Sequence, residues 1–148
     1  MPAHIYNVFE HILETVNKVD TDLILKITAL SHDIGKPYRK TIINNMDSFK
    51  GHEETSVIMS NLILTRLGYE VDFINKVCRI IKYHDYNIIP TVEGVKKATD
   101  LVSDELMPYL FCFQEADLLA HSEQRYKPLL PKLNEAKIIY ESWCQRSS

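Results

Sequence analysis

The stretch Ala29 to Pro37, Ala-Leu-Ser-His-Asp-Ile-Gly-Lys-Pro, constrains this chain more than any other. A helix carrying apolar residues runs into the adjacent pair His32-Asp33. Gly35 is placed to act as the helix C-cap and Pro37 forbids continuation, so the pair is expected at a helix end, facing open space. A histidine beside a carboxylate can bind one metal through its imidazole while an Asp oxygen reaches a second. Taken alone, such a pair is better explained as a histidine resting on the helix dipole with an Asp nearby. Other residues have to decide between the two readings.

The rest of the chain supplies them on helical spacings. Ile5, Val8, Phe9, Ile12, Leu13 and Val16 predict an amphipathic helix over Ile5 to Val19. His11 stands off that stripe, on a flank with His4 and Thr15, and could line a cleft beside the core. His4 and His11 are two turns apart, ~10.5 Å along the axis, so they are not expected to share one metal, and helical geometry leaves the choice between them open. Asp20-Thr21-Asp22 offers N-caps for a second, largely buried helix marked by Leu23, Ile27, Leu30 and Ile34.

From Tyr38 to Lys50 periodicity disappears, and the stretch reads as a loop of about a dozen residues that could bring Lys36, Arg39 or Lys40 to an anion. Gly51-His52-Glu53-Glu54 opens a third helix with an acidic first turn, a body of Ile58, Met59, Leu62, Ile63 and Leu67, and Gly68 as its stop. A histidine at a helix N-terminus is expected to be neutral, the form that ligates metals.

A fourth helix over Asp72 to Tyr83 turns His84 inward, in line with Val77 and Ile81 and beside Asp85. A shorter one follows from Pro90 and Thr91 to Val102. In a sixth, Asp104 to His121, Leu106, Leu110, Phe113 and Asp117 recur at i, i+4, i+7 and i+11, which puts a carboxylate at a core position. Burying it unpaired costs several kcal/mol, so Asp117 needs a cation or a dense set of hydrogen bonds. A last helix, after Lys127-Pro128 and Pro131, carries Leu133, Ala136, Tyr140 and Trp143 and offers packing without chemistry. No run of strand period reaches a convincing length.

These spacings predict an all-α fold, a compact bundle of six to seven helices in a single domain over residues 1–148. The 148 residues, 45% apolar and 25% charged, suffice for such a core without staples. A formal charge of −3 and a pI near 6.1 give no global field toward a nucleic-acid backbone or an anionic membrane, so any phosphate contact has to be local. Cys78, Cys112 and Cys144 are odd in number and widely spaced, against a disulfide framework or a thiolate zinc site and in keeping with a reducing cytoplasm. No basic-then-apolar leader and no apolar run near ~20 residues is seen, so no membrane partner is expected.

His32-Asp33, His52, His84-Asp85 and Asp117 come from four helices, as a bundle needs to assemble ligands in its interior. The donors are nitrogen and oxygen with Asp33 able to bridge, so the expected cofactor is one or two divalent ions: iron, manganese, cobalt, nickel, zinc or magnesium.

The order His11, His32-Asp33, His52, His84, Asp117 resembles that of the HD-domain metal-dependent phosphohydrolases, an all-α superfamily. The stretches Phe9-Glu10-His11, Ala29 to Pro37, Phe49-Lys50-Gly51-His52-Glu53-Glu54 and Glu115-Ala116-Asp117 are more specifically similar to the HD region of bacterial CCA-adding tRNA nucleotidyltransferases. No nucleotidyltransferase head is expected before Ile5, so the likeness is to the hydrolytic appendage.

The resemblance implies that His11, rather than His4, holds a first metal with His32, Asp33 and Asp117. His52 and His84 would hold a second, with Asp33 bridging. It implies phosphoester hydrolysis by a metal-bound hydroxide, with Asp33 positioning it, Lys36 and Arg39 binding phosphate and Asp85 or a water protonating the leaving group. Implied substrates are small phosphoesters or nucleotides, 2′,3′-cyclic phosphates and 2′-nucleotides among them, and the end of a tRNA is admitted. Two other classes stay open: a metal- and nucleotide-binding module without turnover, or a partner of a separate nucleotidyltransferase. A nucleotide pyrophosphohydrolase is the second enzymatic reading.

Overall fold

A computed structural model describes the backbone of residues 5–19, 22–38, 41–43, 46–48 and 51–147, and the side chains of 8–19, 22–37 and 51–144. Among the described residues seven α-helices account for the architecture: α1 (Ile5–Lys18), α2 (Leu23–Ser31), α3 (His52–Arg66), α4 (Val71–Lys82), α5 (Val92–Val102), α6 (Met107–Leu119) and α7 (Glu123–Ser147). The all-α fold expected from the spacings is the one observed. Asp22 caps α2, its carboxylate accepting from the Ile24 N–H at 2.8 Å, and Thr91 caps α5 through the Gly94 N–H at 3.0 Å.

α6 runs through the middle of the core. Leu110 and Phe113 are wholly buried, and around them pack Ala29 of α2, Ile80 of α4, Val95 and Ala98 of α5, and Ala136 and Tyr140 of α7. A second cluster joins α3 to α4 through Leu64, Ile74, Val77 and Ile81. His32 and His84 both set their rings edge-on to Phe113 of the first cluster.

Several sequence expectations change. Residues 38–50 are not a plain loop: a 3₁₀ turn (Lys36–Tyr38) leads into an antiparallel ribbon of β1 (Thr41–Ile43) and β2 (Met46–Ser48), with Ile42 opposite Asp47. Three residues per strand are too few to show a period. α7 begins at Glu123 and carries Pro128 and Pro131 inside it, rather than starting after them. Both prolines are exposed, as are Gln124 and Lys127, whose carbonyls lose an N–H partner to them and turn to water instead.

The buried faces are also rotated from the predicted ones. Phe9 and Leu13 of α1 and Leu23 and Leu30 of α2 are exposed, and α2 buries Leu25, Thr28 and Ala29 instead. In α3, Ile58, Leu62, Ile63 and Leu67 face outward. The inner face is His52, Ser56, Ser60 and Leu64, one residue every four. α3 is thus docked by small polar side chains that let its backbone come close to the His-Asp turn.

Candidate metal centre

His32 caps α2, and the chain turns sharply through residues 32–35, so the His-Asp pair does stand at a helix end. It does not face open space. His32 is 0% exposed and Asp33 1%, because α3 lies directly across the turn. Gly35 makes that approach possible and is not the C-cap. Its N–H donates to Ser56 Oγ at 2.8 Å, and a Cβ there would stand 2.6 Å from Ser56 N and 2.7 Å from the His52 carbonyl oxygen.

Two nitrogen-oxygen clusters share Asp33. On one side His32 Nε2 lies 3.1 Å from Asp33 Oδ2 and 3.1 Å from Asp117 Oδ1, while His11 Nε2 lies 2.6 Å from Asp117 Oδ1 and 3.6 Å from Asp33 Oδ2. On the other, His52 Nε2 and His84 Nε2 lie 3.3 and 3.5 Å from Asp33 Oδ1 and 3.4 Å from each other. Asp85 Oδ2 joins this second group at 3.3 Å from His52 and 3.5 Å from His84. Separations of this size match the edges of a coordination shell whose bonds are about 2.1 Å long.

Three further observations fit these groups to a cation. Asp33 Oδ1 is buried and makes no hydrogen bond, although it lies between two imidazoles. His32 donates its Nδ1 proton to the Ala29 carbonyl at 2.7 Å and His84 donates its own to the Ile81 carbonyl at 2.6 Å, so both rings present Nε2 inward. Cys78, Cys112 and Cys144 are free thiols and belong to neither cluster, which leaves a hard to borderline donor set.

Among protein groups alone, protons balance the carboxylates. Burial works against a charged His32, but Asp33 and Asp117 outweigh it and raise the ring to about 10. The same contest at His52, with Asp33 and Asp85 against burial, ends at about 9, so the helix N-terminus does not keep this ring neutral by itself. Burial opposes the Asp33 and Asp117 charges too, yet their histidine partners hold both carboxyls well below the usual range. Asp85 is lowered in the same way by His52.

Lys36 extends back to the pair, with Nζ 3.2 Å from Asp33 Oδ2. Arg39 and His4 lie outside the described residues. One neighbour escaped the sequence reading. His121 stacks on His11, and burial beside His11 and Arg125 lowers it to about 4. Gln114, Asp117 and His121 follow at i, i+3 and i+7, a helical spacing that could have revealed it. Gln114 Nε2 also donates to the His84 and Tyr86 carbonyls at 3.2 and 2.9 Å, which ties α6 to the turn after α4. A cavity of about 340 Å³ opens from His84, Asp85 and Asp117 toward α7.

An all-α fold whose helix ends and inner faces converge on histidines and carboxylates defines a protein built around a mixed nitrogen-oxygen centre. The chain belongs to the HD domain family, which it matches over residues 3–141. An A-adding tRNA nucleotidyltransferase of Deinococcus radiodurans is similar to it, 29% identical over an alignment of 123 residues, with 77% of this chain and 28% of that enzyme covered. The chain thus spans little more than a quarter of the curated relative it matches.

Proposed function

We propose that the protein is a metal-dependent phosphohydrolase acting on small phosphoesters, nucleotides above all. The observation that carries this reading is the position of Asp33, with one oxygen turned to His32 and the other to His52 and His84. In this reading His11, His32, Asp33 and Asp117 would hold one divalent ion, and His52 and His84, again with Asp33, would hold a second. Such ions supply Lewis acidity that acidifies water and offsets the charge of a phosphoryl group.

The protein's own groups do the rest. Lys36, beside Asp33, adds a cation for a phosphate oxygen, and Arg39 joins it by position in the sequence. Asp85 is 47% exposed on its side chain and held as a carboxylate by His52. It therefore takes the proton of the attacking water before passing it to the leaving oxygen. The similarity to a tRNA nucleotidyltransferase supports a nucleotide substrate, such as a 2′,3′-cyclic phosphate, a 2′-nucleotide or the end of a tRNA.

The test is metal content of the purified protein together with hydrolysis of a generic phosphodiester and of 2′,3′-cyclic nucleotides, with manganese, nickel, cobalt, iron or magnesium added. Two ions per chain with turnover are expected. Asp33→Ala should lose both while keeping its helical circular dichroism, and full activity in that variant would overturn the reading.

A further inference from the structure

The cavity beside the clusters has a second wall that the hydrolytic reading does not use. α7 presents Arg125, Leu129, Lys132 and Leu133 to it, at i, i+4, i+7 and i+8, so these four share one helix face. Ile88 and Leu118 line the same cavity. Along α7 the wall therefore reads cation, apolar step, cation, with the two charges about 10.5 Å apart along the axis.

Neither cation is engaged by another described side chain. Arg125 and Lys132 are exposed and form no ion pair among the described residues, whereas Lys36 lies against Asp33 and Lys127 against Glu123 at 3.2 Å each. Arg125 is the nearer to the clusters, because it lies in the first turn of α7, four residues after His121, which stacks on His11. α7 turns back along α6 after residues 120–122, so Lys132 lies two turns further from that end. The complement of such a wall is a ligand with an anion near the metal ligands, a flat apolar body beyond it and a second anion at the far end. Arginine suits the first position, since its planar fork takes two phosphate oxygens at once. Lysine suits the second as a point charge.

We infer that the α7 wall selects a nucleotide carrying two separated phosphates, the first beside Arg125 at the metal ligands and the second on Lys132, with the nucleoside against Leu129, Leu133, Ile88 and Leu118. The inference rests on the phosphohydrolase reading for which phosphate is cleaved, and on the wall alone for what is bound. A cavity of about 340 Å³ lies within the range of small-ligand sites.

The experiment is calorimetric titration of the full chain, with and without manganese, using adenosine, adenosine 5′-monophosphate and adenosine 3′,5′-bisphosphate as probes. The bisphosphate should bind at least about tenfold more tightly than the monophosphate, and adenosine weakest of all. Lys132→Ala should remove the preference for the bisphosphate and leave the monophosphate unchanged, while Lys132→Arg should keep it. Arg125→Ala should weaken both nucleotides about tenfold.

Equal affinity for the three probes, or a bisphosphate preference that survives Lys132→Ala, would overturn the inference whatever the protein hydrolyses. The predicted pattern without turnover of any ester would leave the wall's selectivity standing and remove the hydrolytic reading. Because both side chains are exposed, their replacement leaves the core packing untouched.

Discussion

His121 lies stacked on His11, the ring centroids 4.1 Å apart and the planes 22° from parallel. His11 reaches Asp117 through Nε2, and its Nδ1 is buried without a hydrogen bond. His121 is thus the ring contact that covers this imidazole from the α6 end. With His11 as a ligand in the proposed set, His121→Ala should weaken metal binding about tenfold or more, the usual cost of removing support from a ligand, and His121→Phe should restore most of it by keeping the ring. Calorimetric titration with manganese reads the effect, and equal loss in both variants would mean that the contact is more than packing.

Gly35→Ala should destabilise the protein by about 1 to 3 kcal/mol, because the new methyl would press on backbone atoms of α3 that cannot swing aside. Urea denaturation measures this. Since one of those atoms is the His52 carbonyl oxygen, the proposed ligand set predicts that the same variant loses affinity at the His52-His84 cluster more than at the His11-His32 cluster.

The outward turn of α3 makes an opposed pair of predictions. Leu64 is 3% exposed and Leu62 57%, two residues apart on one helix. Leu64→Ala should cost about 2 to 5 kcal/mol and Leu62→Gln no more than about 0.5. Comparable losses at both positions would place Leu62 under cover as well.

For protein stripped of metal by a chelator, stability should depend on pH in both directions. His32 and His52, raised to about 10 and about 9, contribute stability that is complete below the ordinary 6.5 and is lost as pH rises through those values. Asp33 and Asp117 are depressed, so their contribution is present above 3.8 and lost as pH falls through their folded-state values. His121, lowered to about 4, adds to the loss on the acid side, since below 6.5 the unfolded chain gains a proton there that the native state refuses. Tm should therefore peak at about pH 6 to 7. Metal has to displace the His32 and His52 protons, so its affinity should rise with pH and lift the alkaline limb of the Tm profile.

The helices and the His-Asp turn were legible because both signals are local: period 3.6 for the helices, and Gly and Pro punctuation for the turn. Which face of a helix is buried is not a local property. Ile58, Leu62 and Ile63 looked like a core stripe because they are apolar, whereas the close approach of α3 to Gly35 selects Ser56 and Ser60, whose small side chains fit where an isoleucine would not. The ribbon at Thr41–Ser48 stayed hidden because its strands are shorter than two full periods. His121 and the α7 wall were missed for a different reason. His121 closes the predicted sixth helix beside its apolar stripe rather than on it, and the α7 wall belongs to a helix that starts before the prolines at which its periodic reading began.

His32 and His84 are aimed by the same device, a ring proton given to a carbonyl three residues earlier. The orientation of each imidazole is thus set within its own stretch of chain and owes nothing to α7. On the proposed reading, recognition and chemistry are written in separable parts of the sequence. Substitutions along α7 can then change what the cavity admits without rotating either ring, so the geometry of the centre is inherited intact while its ligand changes.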